Sequence, residues 1–528
     1  MKTLKYIVVG VVSLIMSVGA TSCSDFLDSK AYDFVSPDGF YKNKEEAKMG
    51  LAGVYMTLTQ QEVYGNMYSC MLSNVDDLSH YTRSAEQTVS RVYGNDHNTS
   101  DQDVYVAWRE LYKGIESANM FLESVEKSDI EEKDKTKMLG EAKFLRAFYH
   151  FLVVQAWKDV PIRKTAFKDV NKSALPATPQ AEAYDWIIEE MEATIDMVDD
   201  SEYDLSPSYV KKNVVLGILA RVSLARAGYP TNGGMPYYEK AAKYAKQVKD
   251  SQKHSINPDV YAIWKNMASD RYDKEYNESM WEAEFIGTRE LDGNWTNGRI
   301  GNVIGNKQQN GSADGLGYSY WFYGGSLILW DLYEDTDARR DLSMAPYWYN
   351  NNDVMQVYRD DQIVQRSCGK YRREWETNYP KNKNWTQENY PILRYADVLL
   401  MLAESENEVN QSPTALAYEA VNAVRERAGV DPLPAGMSYN DFQQEVRDER
   451  GRELCFESLR KYDLVRWGIY TEAIAKLGEA TDDPRWPGGS NFTTAKAFAQ
   501  RTQKKHEFMP IPSNELSINT ELKQNPLW

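Results

Sequence analysis

The chain has 528 residues and a formal net charge of −17, with 42% hydrophobic and 26% charged residues. A chain of this length can bury one large core or a few coupled cores. Its acidity argues against binding to nucleic acid and against peripheral attachment to anionic lipid headgroups. Aromatic content is high for a polar chain, with 36 Tyr and 14 Trp, which indicates a use for flat, amphipathic rings.

The N-terminus is typical of a bacterial lipoprotein signal peptide. Lys2 and Lys5 precede the uncharged apolar run Tyr6–Gly19, and small residues at positions 20–22 precede Cys23. We therefore expect residues 1–22 to be cleaved and Cys23 to carry the acyl chains, more than one of which gives stable anchoring. The alternatives are an ordinary secretory signal and an uncleaved anchor. Cleavage removes two lysines and takes the net charge from −17 to −19. No later apolar run is long enough to span a bilayer, so Cys23 would be the sole membrane contact.

Helical periodicity predicts a mainly α fold in which antiparallel helix pairs of about tetratricopeptide length stack on one another. The predicted helices are Lys44–Thr59, Val104–Val125, Lys137–Trp157, Glu182–Val198, Val210–Ala227, Tyr237–Val248, Ile392–Glu408, Thr414–Arg427, Tyr439–Leu459 and Leu464–Leu477. We expect one structural domain, with an N-terminal helical region at 23–250, a loop-rich insertion at 251–390 and a C-terminal helical region at 391–528. A loop-rich insertion on a helical scaffold is where binding residues are expected.

The chain offers little to suggest catalysis or a cofactor. Cys70, Cys368 and Cys455 are far apart, which indicates buried small side chains rather than disulfides or a zinc site. The H-E-x-x-H, G-x-S-x-G and phosphate-binding glycine patterns are missing, and His150 lies in an apolar run that predicts a core position. We expect that the protein is not an enzyme and has no cofactor, although its exposed Asp and Asn loops are compatible with a structural calcium ion. A glycan-degrading enzyme stays an alternative because sequence spacing does not reveal how two carboxylates are placed across a sugar.

Three segments near the C-terminus closely resemble the SusD/RagB family of nutrient-binding outer-membrane lipoproteins. They are Pro391–Glu404 (PILRYADVLLMLAE), Glu449–Gly468 (ERGRELCFESLRKYDLVRWG) and Met509–Trp528, which begins MPIP and closes QNPLW. Their order and the lipoprotein-like start extend the resemblance over nearly the whole chain. Two positions depart from it, because Ser458 and Leu527 stand where the family commonly has Gly.

The resemblance implies a cell-surface protein, lipid-anchored in the outer membrane, that captures an oligosaccharide. It also implies a partner, a SusC-like TonB-dependent transporter, over which the protein would sit as a hinged lid. The same transport role for peptides or another nutrient is an alternative implied by relatives. A helical-repeat scaffold without a small-molecule ligand is a further alternative.

A glycan site needs exposed rings that stack on sugar C–H faces and planar polar groups that bind hydroxyls. Two stretches, 74–98 and 287–325, offer both, and the resemblance implies that the ligand arc is built from these two regions. The candidate ligand residues are Asp76, Tyr81, Arg83, Tyr93, Asn95, Trp295, Tyr320 and Trp321. Trp295, between polar residues, is the first candidate, and Trp321 is the second. An alternating strand at Tyr318–Tyr323 would bury some of its rings and expose others.

The pattern of the Glu449–Trp467 run predicts that it belongs to the scaffold rather than to the ligand site. Opposite charges three or four residues apart predict ion pairs along a helix face, namely Asp448 with Arg452, Glu457 with Lys461, and Asp463 with Arg466. Leu454, Phe456, Leu459, Tyr462 and Val465 would supply the buried stripe. Core positions are also expected for Trp157, Trp330 and Tyr333.

Overall fold

The structure is a computed structural model that describes residues 41–169, 174–198, 206–285, 298–489 and 492–528. The predictions for the signal segment, for Cys23 and for Trp295 lie outside these residues. Within the described ranges, no helix combines the length and the apolar character needed to cross a membrane.

The N-terminal region consists of consecutive helices that pack pairwise. They are α1 (Lys44–Tyr55), α2 (Gln102–Val125), α3 (Glu132–Trp157), α4 (Gln180–Glu192), α5 (Lys212–Ala227), α6 (Met235–Asp250) and α7 (Ala262–Ala268). Asn43 and Asp101 cap α1 and α2, because each side chain accepts backbone N–H bonds from the first turn. Helix α2 packs on α3, and the contacts continue from each helix to the next as far as α6. These pairs confirm the predicted mainly α fold.

The insertion and the C-terminal region add further helices. They are α8 (Ile300–Val303), α9 (Leu327–Leu332), α10 (Arg339–Ser343), α11 (Tyr395–Asn410), α12 (Ala415–Arg427), α13 (Tyr439–Leu454), α14 (Arg460–Arg466), α15 (Tyr470–Ala480), α16 (Thr494–Arg501) and α17 (Ser513–Ile518). Helix α11 packs against α6 as well as against α12 and α13. The two helical regions therefore share one continuous core.

Three short antiparallel strand pairs tie distant parts of the chain together. β1 (Ser79–Tyr81) pairs with β3 (Tyr323–Gly325), β2 (Ser279–Ala283) pairs with β6 (Tyr390–Arg394), and β4 (Tyr347–Tyr349) pairs with β5 (Met355–Val357). The β1–β3 pair fastens the middle of the insertion to the N-terminal region, and the β2–β6 pair joins the early part of the insertion to its end. The loops of the insertion therefore have fixed anchor points.

Several predicted helix bounds are wrong. The helix predicted to reach Val198 ends at Glu192, the one predicted to reach Thr59 ends at Tyr55, and the one predicted from Lys137 begins at Glu132. Three further differences have a backbone reason. The helix predicted from Ile392 begins at Tyr395, because the preceding residues form β6. The helix predicted to reach Leu459 ends at Leu454, since Phe456 and Ser458 have φ of 63° and 61°. A left-handed residue cannot continue a right-handed helix. A third predicted helix, Leu464–Leu477, is divided into α14 and α15 at Gly468, where φ is 73°.

The Glu449–Trp467 run lies in a buried charge network, which differs from the predicted ion pairs along one helix face. Asp463 does pair with Arg466 at 2.8 Å. The other two predicted pairs are absent from the described part of the chain. Arg452 instead contacts Glu449 and Glu445 of its own helix, whereas Glu457 contacts Lys370 and Arg394 across the fold. The run is buried, as the scaffold interpretation requires, but its charges link separate elements as well as successive helix turns.

Arg394, the last residue of β6, is the centre of this network. Its guanidinium contacts Glu278 at 3.2 Å, Glu453 at 3.0 Å and Glu457 at 2.8 Å, and all four side chains are buried. Around it, Arg427 contacts Glu278 and Glu453, and Arg339 contacts Glu449 and Glu453. Burial alone would raise the pKa of Glu453, but the surrounding Arg427, Arg394 and Arg339 hold it well below its ordinary value. Each buried charge here is matched by opposite charges.

The core predictions hold with three exceptions. Leu459 and Tyr462 of the predicted buried stripe are half-buried. Trp157 is fully buried and Tyr333 is buried, whereas Trp330 is half-buried, with Arg340 and Arg366 over its ring. His150 is buried and bonded at both ring nitrogens, to the Arg146 carbonyl and the Arg163 N–H, and burial lowers its pKa to about 3. The three described cysteines, Cys70, Cys368 and Cys455, are buried free thiols.

Candidate ligand site

The two stretches chosen from the sequence meet in space at the β1–β3 pair. Ser79 lies opposite Gly325, and Tyr81 lies opposite Tyr323. Just beyond β1, the Thr82 hydroxyl donates to the Trp321 carbonyl at 2.6 Å. The Arg83 guanidinium donates to the Tyr320 carbonyl at 2.7 Å. These bonds bring Arg83 and Trp321 together at the edge of the sheet, where an open cavity begins.

The cavity has a volume of ≈480 Å³, within the usual range for small-molecule sites. Its lining residues come from the N-terminal region, the insertion and the C-terminal region. They are Thr82, Arg83, Lys307, Trp321, Trp348, Tyr358, Gln362, Gln365 and Phe492. The two tryptophans are half-buried, so each ring has part of its surface open to solvent.

Trp321 is held in an uncommon backbone conformation. Its φ is 42°, in the left-handed region that a bulky residue rarely adopts. The β1–β3 pairing holds this conformation on one side, and on the other the Trp321 N–H donates to Ser319 Oγ at 3.2 Å. Such strain is concentrated at functional sites in proteins. Here its effect is to direct the indole into the cavity rather than into the core.

Two cations lie over the tryptophan rings. The Lys307 ammonium is 3.9 Å from the Trp348 ring centroid and 4.6 Å from that of Trp321. The Arg83 guanidinium carbon is 4.7 Å from the Trp321 centroid. Cations at these distances are attracted to the ring faces. Burial lowers the pKa of Lys307, and the nearby positive charge of Arg83 lowers it further.

Among the described residues that line the cavity, none is an acid or a histidine. The lining instead combines indole faces, a guanidinium, an ammonium and the carboxamides of Gln362 and Gln365. Carboxamides both donate and accept hydrogen bonds, and half-exposed rings offer flat apolar surface. This combination suits a polyhydroxylated ring with an apolar face.

Four of the predicted ligand residues are in the interior. Tyr81 and Tyr93 are each 3% exposed and stack on each other with ring centroids 4.4 Å apart. Asn95 donates to the Thr502 hydroxyl at 2.8 Å. Asp76 accepts backbone N–H bonds from the residues that start β1, and burial together with Asp77 raises its pKa to about 6. These side chains support β1 from behind, so we leave them out of the candidate site.

The remaining predicted residues are divided between the cavity and its surroundings. Arg83 and Trp321 line the cavity. Tyr320 is half-buried beside it, stacked on Phe322 at 5.2 Å and bonded through its hydroxyl to Asn384. Its carbonyl, rather than its ring, contributes to the site by fixing Arg83.

Sequence reasoning missed several lining residues, including Lys307, Trp348 and Phe492. The Tyr347-Trp348-Tyr349 run could have been noticed, because three successive aromatics lie in the loop-rich insertion. Nothing in the sequence marks Lys307 or Phe492, since only the fold brings them to Trp321. The structure also contains no group of three or more His, Cys, Asp or Glu that could hold a metal ion within the described residues. A structural calcium ion stays a prediction.

Two family models match the chain. The model described as "SusD family" matches residues 277–528, and the model described as "Starch-binding associating with outer membrane" matches residues 25–224. A curated relative, SusD-like protein P25 of Formosa agariphila, is 23% identical over 96% of this chain and 95% of its own length.

The solved structures agree with these matches. A SusD homolog from Bacteroides thetaiotaomicron is 30% identical, with a TM-score of 0.84 over 94% of this chain and 99% of that one. Surface glycan-binding protein A from Bacteroides uniformis is 22% identical, with a TM-score of 0.68 over 91% of this chain and 99% of that one. The 30% identity over almost both full lengths, together with the two family models, identifies the chain as a member of the SusD-like family.

Proposed function

We propose that this protein binds an oligosaccharide at the cell surface and delivers it to a SusC-like TonB-dependent transporter of the outer membrane. The observation that carries the proposal is the cavity at the β1–β3 edge, where Trp321 and Trp348 present half-exposed rings beside two carboxamides. Family membership supports the same role. A structural neighbour from Bacteroides uniformis is itself named a surface glycan-binding protein, which supports the same role.

The anchor and the absence of turnover belong to the same proposal. Acylation at Cys23 would hold the protein on the outer membrane, in keeping with the family description that mentions association with that membrane. We further propose binding without hydrolysis, because the described lining offers no pair of carboxylates to flank a glycosidic bond.

Calorimetry with a panel of oligosaccharides and peptides tests the proposal on the protein lacking residues 1–23. Trp348→Ala should weaken binding of the best ligand by about 1–3 kcal/mol, by analogy with measured ring–base stacking, or roughly 5- to 150-fold. Its thermal midpoint should change little, because the ring is half-exposed. Tyr379→Ala is the matched control, since this ring is 57% exposed and lies outside the cavity lining.

Each possible result has a distinct meaning. If only peptides bind, the transported nutrient is a peptide and not an oligosaccharide. If shortened oligosaccharides accumulate in the mixture, the protein is an enzyme. If Trp348→Ala binds the ligand as tightly as wild type, the cavity is not the ligand site. Purification from native membranes tests the partner, since repeated failure to recover a large transporter would contradict delivery.

A further inference from the structure

Lys307 is held in the cavity by aromatic rings alone. Its ammonium lies over two indoles, at 3.9 and 4.6 Å from their centroids. In the described part of the chain, this ammonium makes no ion pair with a carboxylate and donates no hydrogen bond to a protein acceptor. An ammonium has three N–H donors, so all three are available to a ligand.

Arg83 is the second cation of the cavity, and it also lacks an acidic partner among the described residues. Its guanidinium donates to the Thr82 carbonyl and hydroxyl, at 3.1 and 2.8 Å, and to the Tyr320 carbonyl at 2.7 Å. Neutral oxygens orient the guanidinium but do not neutralise it. Both cations lie over the Trp321 ring and line the same cavity, so two like charges are neighbours there.

This arrangement is unusual in so acidic a protein. The chain has a net charge of −17, and the cations of the Arg394 network each contact one or more buried carboxylates. Two adjacent cations without counter-charge repel each other, and an anion placed between them would relieve that repulsion. Within a negative surface, such a pair also draws an anionic group to one defined position.

We propose, building on the glycan-binding function above, that the ligand is an acidic oligosaccharide whose carboxylate or sulfate group binds between Lys307 and Arg83. Arg83 offers a planar fork that matches the oxygens of either group, and Lys307 offers a compact positive charge. The exposed parts of Trp348 and Trp321 then take the sugar ring next to the charged group. The carboxamides of Gln362 and Gln365, which line the same cavity, offer donors and acceptors for the sugar hydroxyls.

The first experiment compares acidic glycans with their neutral counterparts on the protein lacking residues 1–23. The probes are oligogalacturonides and their carboxyl-reduced forms, sulfated carrageenan oligosaccharides and their desulfated forms, and neutral glucan and mannan oligosaccharides. We expect binding of an acidic probe that falls at least about tenfold when the charge is removed, since charge-assisted hydrogen bonds are worth about 1.5–3 kcal/mol. The two acidic series distinguish a carboxylate from a sulfate. Binding of neutral probes alone overturns this inference and leaves the proposed function intact, whereas binding of no glycan overturns both.

The second experiment removes the charge from the protein. Lys307→Met keeps the apolar stem and should weaken binding of the acidic probe about tenfold or more, clearly more than it weakens binding of the neutral counterpart, and reduce the dependence of affinity on salt. Lys265→Met is the matched control, because this ammonium lies over Tyr261 at 5.4 Å but pairs with Asp259 and is outside the cavity. Arg83→Gln supplies the same test should Lys307→Met fail to fold. Unchanged affinity for the acidic probe in both folded variants overturns the inference.

Discussion

The network around Arg394 and the cavity around Lys307 place positive charge in opposite surroundings. In the network, Arg394 contacts three buried carboxylates, at 2.8–3.2 Å. In the cavity, Lys307 contacts ring faces, and no acid lines the described walls. Charges that are matched inside the protein stabilise its fold, while charges left unmatched at a cavity are available to a ligand. The charged residues of the SusD-like motifs belong to the first class, which explains why they stabilise the fold rather than bind ligand.

In both regions, residues with positive φ orient an important side chain. Phe456 and Ser458 have positive φ and flank Glu457, whose carboxylate they direct toward Arg394 and Lys370. Trp321 has positive φ and directs its ring into the cavity. In each case a locally unfavourable conformation is held by long-range contacts, so the difference between the regions lies in the charge balance and not in the backbone.

The largest expected effect comes from removing the centre of the network. Arg394→Met should lower the free energy of unfolding by about 3–5 kcal/mol, because it leaves Glu453 and Glu457 buried with fewer positive partners. Arg359→Met is the control, since Arg359 pairs with Asp361 at 3.0 Å but both side chains are more than 70% exposed. That pair should contribute at most about 1 kcal/mol. Urea unfolding measures both values, and similar losses in the two variants would contradict the distinction between matched and surface charge.

Glu282 is an exception that sharpens the comparison, because it is a buried acid of the scaffold with neutral partners. Its carboxyl accepts hydrogen bonds from Ser279 and Asn389, and burial raises its pKa from 4.5 to about 7. The folded protein therefore keeps this proton to higher pH than the unfolded chain does. Stability from this group is present below about pH 4.5 and is lost as the pH rises toward 7.

Glu282→Gln mimics the protonated form and should remove this loss. Relative to wild type, the variant should gain about 2–3 kcal/mol of stability on going from pH 5 to pH 8, at 1.36 kcal/mol per pKa unit. Guanidinium unfolding at the two pH values gives the difference directly. Other titrating groups act equally in both proteins, so parallel pH profiles would show that Glu282 is ionised in the fold.

Buried acids that pair with arginines outside the Arg394 network predict the opposite behaviour in acid. Burial alone would raise the pKa values of Asp397 and Glu404, but arginine partners lower both to about 2. Stability from these groups is complete above the unfolded pKa values near 4 and is lost as the pH falls toward 2. The two classes of buried acid therefore act in different pH windows, which separates their contributions in one titration.

The smallest expected change in stability concerns the positive φ of Ser458. Ser458 accepts a hydrogen bond from Asn74 and donates one to the Ser69 carbonyl, but Asn74 and that carbonyl also bond each other. Ser458→Gly should therefore be more stable than Ser458→Ala by about 1 kcal/mol, because only Gly adopts positive φ without steric cost. Thermal unfolding of the two variants gives this difference. Equal midpoints would mean that the left-handed conformation costs nothing here.

The sequence predicted the helices, the buried cysteines and the two stretches that form the candidate site, because periodicity and composition are local properties. Two of its candidate ligand residues, Arg83 and Trp321, line the cavity, and their contact with a ligand stays a prediction. It could not separate Tyr81 and Tyr93, which are buried, from rings at the surface, since both kinds occur between polar residues. Lys307 and Phe492 carry no signal in sequence, because their role depends on the pairing of β1 with β3.

That pairing has a consequence for when binding ability arises during synthesis. Thr82 and Trp321, which the strand pair joins, are 239 positions apart, and Phe492 comes from much later in the chain. Contacts over such separations form slowly, because a long loop must close before they are made. A nascent chain that ends before β3 can fold much of its helical scaffold yet has no cavity. Ligand binding at this cavity therefore requires the chain through Phe492, and an N-terminal fragment that ends before β3 lacks most of the cavity lining.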